Sequence, residues 1–277
     1  MNLYVNENYI KDINNFDIEQ IANSGQVFRV TKEEEGYRFL SKDKSIYINQ
    51  KNNNISFNCS LEDYKDYWEE YFDLNTNYED ILNKINSNDE FLQKCYFYGN
   101  GIRILKQDLF ETIISFIISQ RKSIPAIKSC IETLCKKFGK LQIDVYGKKY
   151  YSFPTYEDLK EISLNDLQGL SLGYRDKYIY QLIRDLYSNQ LNLIRLKKNT
   201  KKEQEKKLLE IYGVGKKVMN CISLFSLHNL NAFPIDIWIQ RILDEKYEGT
   251  FPYKEYQGLL QQYIFFYALN HKKEFKK

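Results

Sequence analysis

The chain has 277 residues, 43% of them hydrophobic and 28% charged, which suits a globular protein of one or two domains. No run of about 18 apolar residues occurs, so a helical membrane span is excluded. Five cysteines without a Cys-x-x-Cys pair, and only two histidines, argue against a disulfide scaffold or a zinc site and for a reducing compartment.

Residues 1–100 alternate in polarity, then change period. Glu7, Asp12, Asp17 and Glu19 stand where a secretory signal needs an apolar core, so no signal is expected. Gln26 to Val30, Tyr37 to Leu40, Ser45 to Ile48 and Ile55 to Cys59 read as strands, with turns at Gly36 and Asn52-Asn53-Asn54. Leu61 to Phe72 and Tyr78 to Tyr98 have helical spacing. Gly99-Asn100-Gly101 marks a boundary, and the sequence beyond it reads as all-helical. Asp108 is a candidate N-cap with Glu111 completing a capping box, and Leu109 to Ile118 is apolar nearly all round, as in a buried helix. Ser123 with Pro125 opens a helix that ends at Phe138 with Gly139 as its cap. Helical patterns also cover Leu164 to Asn189, Lys201 to Leu227, Asp236 to Tyr247 and Tyr253 to Lys273. The expected fold is α+β: an antiparallel sheet domain with helices over residues 1–100, then an all-helical region over 101–277.

The overall charge of +3 hides an asymmetry. Residues 1–100 hold 10 basic and 18 acidic residues, a net of −8, whereas the rest holds 30 and 19, a net of +11. A basic second part suits a polyanionic partner, because clustered cations attract phosphates and release counterions.

The chemistry concentrates in Leu208 to Val218, where an amphipathic helix meets Gly213-Val214-Gly215 and a second helix begins at once. Glycines there permit positive φ and close approach, and the unpaired amides of the turn and the helix start can hold a backbone phosphate. This is a helix-hairpin-helix arrangement, suited to DNA binding without sequence readout. Lys216 and Lys217 open the second helix. A lysine amine attacks only when neutral, and burial or a positive helix end favours that form. Lys217 shares a face with Asn220 and Cys221, while Lys216 turns toward solvent or phosphate; the residues alone leave open whether either does more than contact phosphate. Farther on, Pro234-Ile235-Asp236 places a carboxylate at a helix N-cap.

Gly213-Val214-Gly215-Lys216-Lys217-Val218 followed by Pro234-Ile235-Asp236 resembles the helix-hairpin-helix/Gly-Pro-Asp DNA glycosylase superfamily, and the lysine after Gly-Val-Gly-Lys resembles that of its bifunctional members. Ser24-Gly25-Gln26-Val27-Phe28-Arg29 resembles the Gly-Gln-x-Phe-Arg signature of 8-oxoguanine DNA glycosylases. Gln107 to Glu111 with Phe116 to Ser119, and Leu170 to Tyr178, resemble two further stretches of that family. The resemblance runs from about Asp17 to His271.

It implies base-excision repair of 8-oxoguanine in double-stranded DNA. Lys217 corresponds to the nucleophile that attacks C1′, forms a Schiff base and lets β-elimination nick the strand. Asp236 corresponds to the aspartate that stabilises the oxocarbenium-like sugar. Gly25 corresponds to the glycine whose carbonyl accepts the N7–H of the oxidised base, Gln261 to the reader of its Watson–Crick edge, and Phe265 and Cys221 to the groups on its two faces. Gly213, Val214, Gly215, Lys216 and Trp238 are expected against DNA. Tyr174 corresponds to the wedge beside the flipped nucleotide and Arg175 to a contact with the orphaned cytosine. Arg121 stands where relatives carry a gap-filling asparagine, and Ala126 where some carry an arginine that checks for cytosine, which predicts weak opposite-base discrimination.

The resemblance also implies a possible structural monovalent or divalent cation on the carbonyls of Leu209, Ile211 and Val214. It implies no required cofactor, iron–sulfur cluster, small-molecule cofactor or membrane, and a monomer in the bacterial cytoplasm at the nucleoid, or in a eukaryotic nucleus. The competing readings are a monofunctional alkylated-base glycosylase and a non-catalytic helix-hairpin-helix DNA-binding protein.

Overall fold

The computed structural model describes residues 7–275. Strands β1 (Glu7–Asp12), β2 (Val30–Glu33), β3 (Gly36–Ser41), β4 (Lys44–Lys51) and β5 (Asn54–Cys59) form one antiparallel sheet in the order β1-β5-β4-β3-β2. Alternation decides which side chains leave water. Phe39 pairs with Ile46 and Ile48 with Phe57 across the strands, and all four are fully buried. They cluster with Ile18 and Ile21 of helix α1 (Ile18–Asn23) and with Trp68, Tyr71 and Phe72. Each such side chain contributes about 1.5–3 kcal/mol through burial. The last three belong to a helical stretch read as one helix from sequence. It comprises α2 (Leu61–Asp63), a π-helical turn (Tyr64–Trp68) and α3 (Glu69–Tyr71), with Phe72 just beyond.

The segment Gln26–Arg29 is not a strand, although its alternation suggests one; only Val30 joins β2. Its side chains are committed elsewhere. Gln26 is buried and bonds the Ser24 hydroxyl, the Arg103 carbonyl and the Leu105 amide, each at 2.9 Å. Phe28 meets Phe116 edge-to-face at 5.5 Å. Arg29 reaches Glu132 at 3.1 Å and the Tyr151 carbonyl at 2.5 Å. The Gly-Gln-x-Phe-Arg stretch therefore fastens the sheet to the helices.

The helices are α4 (Tyr78–Leu82), α5 (Glu90–Tyr98), α6 (Leu109–Ser119), α7 (Ile124–Phe138), α8 (Leu164–Leu167), α9 (Arg175–Tyr187), α10 (Leu193–Lys198), α11 (Lys201–Glu210), α12 (Lys216–Phe225), α13 (Ile237–Lys246) and α14 (Gln257–Asn270). Two long helical patterns divide. Tyr78–Tyr98 breaks before Asp89, which caps α5 through the Leu92 amide at 2.9 Å, and Leu164–Asn189 breaks at the Gly169–Gly173 turn. A small hairpin of β6 (Leu141–Ile143) and β7 (Lys149–Tyr151), not read from the sequence, places Asp144 against Tyr47 and Arg38 of the sheet, each at 2.7 Å.

Helix α6 is buried from Leu109 to Ile118, as its composition requires. Asp108 caps it through the Glu111 amide at 3.0 Å, but no capping box closes: the Glu111 carboxylate turns to the Lys42 amide at 2.9 Å and the Ser41 hydroxyl at 3.2 Å. Around α6 one cluster gathers Leu134, Leu182, Ile222, Ile242 and Tyr263, together with Tyr78, Ile81 and Leu92 from α4 and α5. Packing thus groups the α4–α5 segment, ahead of Gly99, with the helices that follow. Among the described residues no helix is long and apolar enough to cross a membrane.

Candidate active site

Helix α14 brings Gln261 and Phe265, one turn apart, to a cavity of about 60 Å³ that is also lined by Gly25, Cys221, Lys217 and Asp236. All six residues expected in the pocket from sequence meet there. Gln261 is buried, and its Oε1 has no hydrogen-bond partner. An amide oxygen left so costs about 1–3 kcal/mol unless something else binds it, so this oxygen is free to accept from a ligand in the cavity. Phe265 is only partly buried, unlike its core neighbours Ile264 and Phe266, so it belongs to the pocket wall. Gly25 has φ +80°, and a Cβ there would lie 3.0 Å from the Phe265 ring; both the turn and the ring's approach need glycine.

Four lining residues were not assigned to the site from sequence: Phe116, Phe225, Pro234 and Gln262. Phe116 and Phe225 stack at 5.5 Å and 15° and form an apolar wall. Gln262 donates its Nε2 to the Ser24 carbonyl at 2.6 Å and so holds the Gly25 turn against α14. These contacts join segments distant in sequence, so no local spacing announces them.

Lys217 lies in the first turn of α12, where no side chain caps the helix, and its Nζ is 5.8 Å from the Phe116 ring centroid. The burial expected of Lys217 is not found: its side chain is exposed at the pocket edge. Burial pushes the Cys221 thiol up, against an opposing pull from Lys217 beside it, so Cys221 presents a neutral thiol to the pocket. Asp236 is half-buried and caps α13 through the Ile239 amide at 2.8 Å. Capping consumes one carboxylate oxygen and fixes the side chain without burying its charge.

The hairpin forms as read, with α11 and α12 flanking Gly213-Val214-Gly215. Only Gly213 uses positive φ, +87°; a Cβ there would strike the Tyr178 ring at 2.3 Å. Gly215 is an extended N-cap with φ −93°, and a Cβ on it meets nothing within 4 Å. The open face, rather than an unusual φ, is what Gly215 offers a phosphate. Val214 is buried and Lys216 exposed.

Arg121 is exposed in a left-handed turn, φ 51°, and Tyr174 is exposed at the start of α9. Arg175 is different: it is only 6% exposed, and its guanidinium donates to the carbonyls of Leu172 and Gln120. That placement does not present it to a base. Trp238 is half-buried against the helical cluster, with the Arg241 guanidinium 5.6 Å from its ring centroid.

The family model for the N-terminal domain of 8-oxoguanine DNA glycosylases matches residues 8–113, and that for HhH-GPD superfamily base excision DNA repair proteins matches residues 114–250. A probable N-glycosylase/DNA lyase from Methanothermobacter thermautotrophicus is 30% identical over 230 residues, 72% of either chain. The chain belongs to the HhH-GPD superfamily of base excision DNA repair proteins. A second relative, the N-glycosylase/DNA lyase of Saccharomyces cerevisiae, is 36% identical over 159 residues, 53% of this chain but 42% of the yeast protein. The chain thus aligns with less than half of the yeast relative's length. A crystal structure of the Clostridium acetobutylicum 8-oxoguanine glycosylase/lyase, bound to double-stranded DNA with cytosine opposite 8-oxoguanine, superposes with a TM-score of 0.88 at 33% identity. It covers 97% of this chain and 98% of the clostridial one, so the sheet domain and the HhH-GPD region share one arrangement in both.

Proposed function

We propose that this chain is a bifunctional DNA glycosylase and lyase that removes 8-oxoguanine from double-stranded DNA. The observation that carries the reading is the convergence of Lys217, Asp236, Cys221, Gly25, Gln261 and Phe265 on one cavity. The lesion leaves the duplex at a cost of a few kcal/mol. Phe265 stacks on the base, Cys221 packs on its other face, and the unpartnered Gln261 amide reads its Watson–Crick edge. The Gly25 carbonyl accepts the N7–H that only the oxidised base carries; guanine would set acceptor against acceptor. Lys217, neutral, attacks C1′; the C1′–N9 bond breaks, and the base departs with its electron pair and takes up a proton. The N,O-acetal that remains opens as its C1′–O4′ bond breaks, O4′ taking the proton that the amine loses, and gives a Schiff base; loss of a C2′ proton then expels the 3′ phosphate. The Asp236 carboxylate stabilises the positive charge that develops on the sugar.

Around the pocket, Gly215, Lys216 and the amides of the hairpin grip one backbone phosphate. Tyr174 wedges beside the vacated position and Arg121 fills it. With Ala126 in place of a cytosine-checking arginine, excision depends only weakly on the opposite base. The carbonyls of Leu209, Ile211 and Val214 hold a structural cation; Ile211 already accepts the Val214 amide at 3.0 Å, and its second lone pair is the one available to an ion. The enzyme works as a monomer wherever the genome is: at the nucleoid, or in the nucleus of a eukaryote.

Borohydride trapping on duplexes containing 8-oxoguanine, an alkylated purine or undamaged guanine tests this. A covalent crosslink with 8-oxoguanine alone is expected. Release of the alkylated base without a crosslink replaces the reading by a monofunctional glycosylase. Equal binding of all three duplexes without scission leaves only a DNA-binding module.

A further inference from the structure

Three turns outside the pocket are tied together by side chains that the excision chemistry does not use. They are the Gln120–Arg121 turn, the loop from Gly169 to Tyr174 and the hairpin at Gly213. Each contains left-handed backbone, at Arg121 (φ 51°), Ser171 (φ 57°) and Gly213 (φ 87°). Arg121 and Ser171 are not glycines, so surrounding contacts must hold that conformation.

Gln120 stands where the three turns cross. Its Nε2 donates to the Gly213 carbonyl at 3.1 Å. Its own carbonyl accepts from Arg175 Nη2, and Arg175 Nη1 donates to the Leu172 carbonyl at 2.9 Å. A second strut runs parallel: Lys122 Nζ donates to the Ser171 carbonyl at 2.7 Å. The Arg175 guanidinium also lies 4.5 Å from the Tyr174 ring centroid. Arg175 forms no ion pair among the described residues, and its Nε is buried without a partner. Main-chain carbonyls are what compensate this buried cation. Pulling either loop away would strip a charge that cannot be neutralised by losing its proton.

We propose that Gln120 and Arg175 are positioning residues that lock these three turns into a single DNA-facing unit. The inference rests on the excision reading, in which the turns carry the gap-filling Arg121, the wedge Tyr174 and the phosphate-binding hairpin. Arg175 then acts on every duplex alike, by fixing the spacing of wedge, filler and hairpin, and reads no base itself. This differs from the direct cytosine contact expected from sequence.

The test uses the full chain with Gln120→Met, Arg175→Met and the double variant. Single-turnover excision of 8-oxoguanine is measured opposite cytosine, adenine, guanine and thymine, and amide hydrogen exchange is followed at residues 171–174 and 212–216. Each single variant is expected to slow excision about tenfold, the scale of one hydrogen bond expressed in a rate, and equally opposite all four bases. The double variant should lose less than the product of the two, because both break one brace. Exchange should quicken in both loops in each variant, including the one distant from the changed residue. A loss confined to cytosine-opposed lesions would overturn the proposal in favour of direct reading, and so would unchanged exchange. Should Arg175→Met not fold, Gln120→Met, altered at a half-buried site, and Arg175→Lys decide the question by the same two measurements. If the unmodified chain does not excise 8-oxoguanine, the excision reading fails, while the exchange measurement still decides whether the turns are coupled.

Discussion

In the pocket, Gln261 keeps its Oε1 buried without a partner, while Gln262 beside it spends its amide on the Ser24 carbonyl at 2.6 Å. On the rim, Gln120 Nε2 and both Nη atoms of Arg175 are committed to main-chain carbonyls of neighbouring turns, and only Arg175 Nε is left without a partner. Both regions take polar groups out of water, but to opposite ends. A group left wanting is available for a ligand, and a group already satisfied serves the scaffold. On the proposed reading, the rim keeps its shape before DNA arrives, and the pocket holds an unspent hydrogen bond for the base.

The largest expected effect tests the pocket's chemistry. Lys217→Gln should abolish borohydride trapping and slow base release at least about a thousandfold, while lesion binding in a gel-shift titration persists. If Lys216→Gln abolishes trapping instead, the assignment between the two lysines is wrong. Asp236→Asn comes next, with excision about a hundredfold slower, the scale of one electrostatic stabiliser of the transition state. Its melting temperature should hold, because asparagine caps a helix about as well as aspartate does.

Gln261→Met separates the two kinds of polar group most directly. Removing an unpartnered buried amide should leave stability equal or raise it by about 1 kcal/mol, whereas discrimination between 8-oxoguanine and guanine should fall roughly tenfold. A clear loss of stability in denaturant titration would show that Gln261 is already satisfied, and the contrast with Gln262 would go with it. The effect without consequence for excision concerns Glu111, a buried carboxyl outside the pocket lining that has partners. Burial pushes it up to about 7, with the nearby Arg29 charge opposing. Its folded value lies above its unfolded one, so the stabilisation is complete below about pH 4 and is lost as pH rises through about 7. Glu111→Gln should therefore flatten the fall in melting temperature between pH 5 and pH 8, a difference of about 1–3 kcal/mol.

What the sequence reveals is what local physics decides. The caps Asp108 and Asp236, the apolar α6 and the hairpin glycines all act within a few residues, and all occur where they are read. Gln26 to Arg29 misleads because alternation cannot tell a strand from a segment whose side chains are fasteners. Glu111 misleads as a capping-box partner because the turn at Lys42 competes for its carboxylate. The pocket residues that resemblance supplies line one cavity, yet the burial argued for Lys217 is absent, and Arg175, which the resemblance sets against a base, is buried. The burial of Arg175 follows from its bonds to the Leu172 and Gln120 carbonyls, which no helix period encodes.

The size of the pocket has a kinetic consequence. About 60 Å³ admits a few water molecules, so on the proposed reading a bicyclic purine enters only as the walls part. Phe265 is the partly buried aromatic of the wall, with its ring close to Gly25, so its displacement is the one that would widen the cavity there. Entry is then a conformational step ahead of bond breaking, and a fluorescent base analogue next to the lesion should report unstacking in a phase separate from, and faster than, release of the oxidised purine.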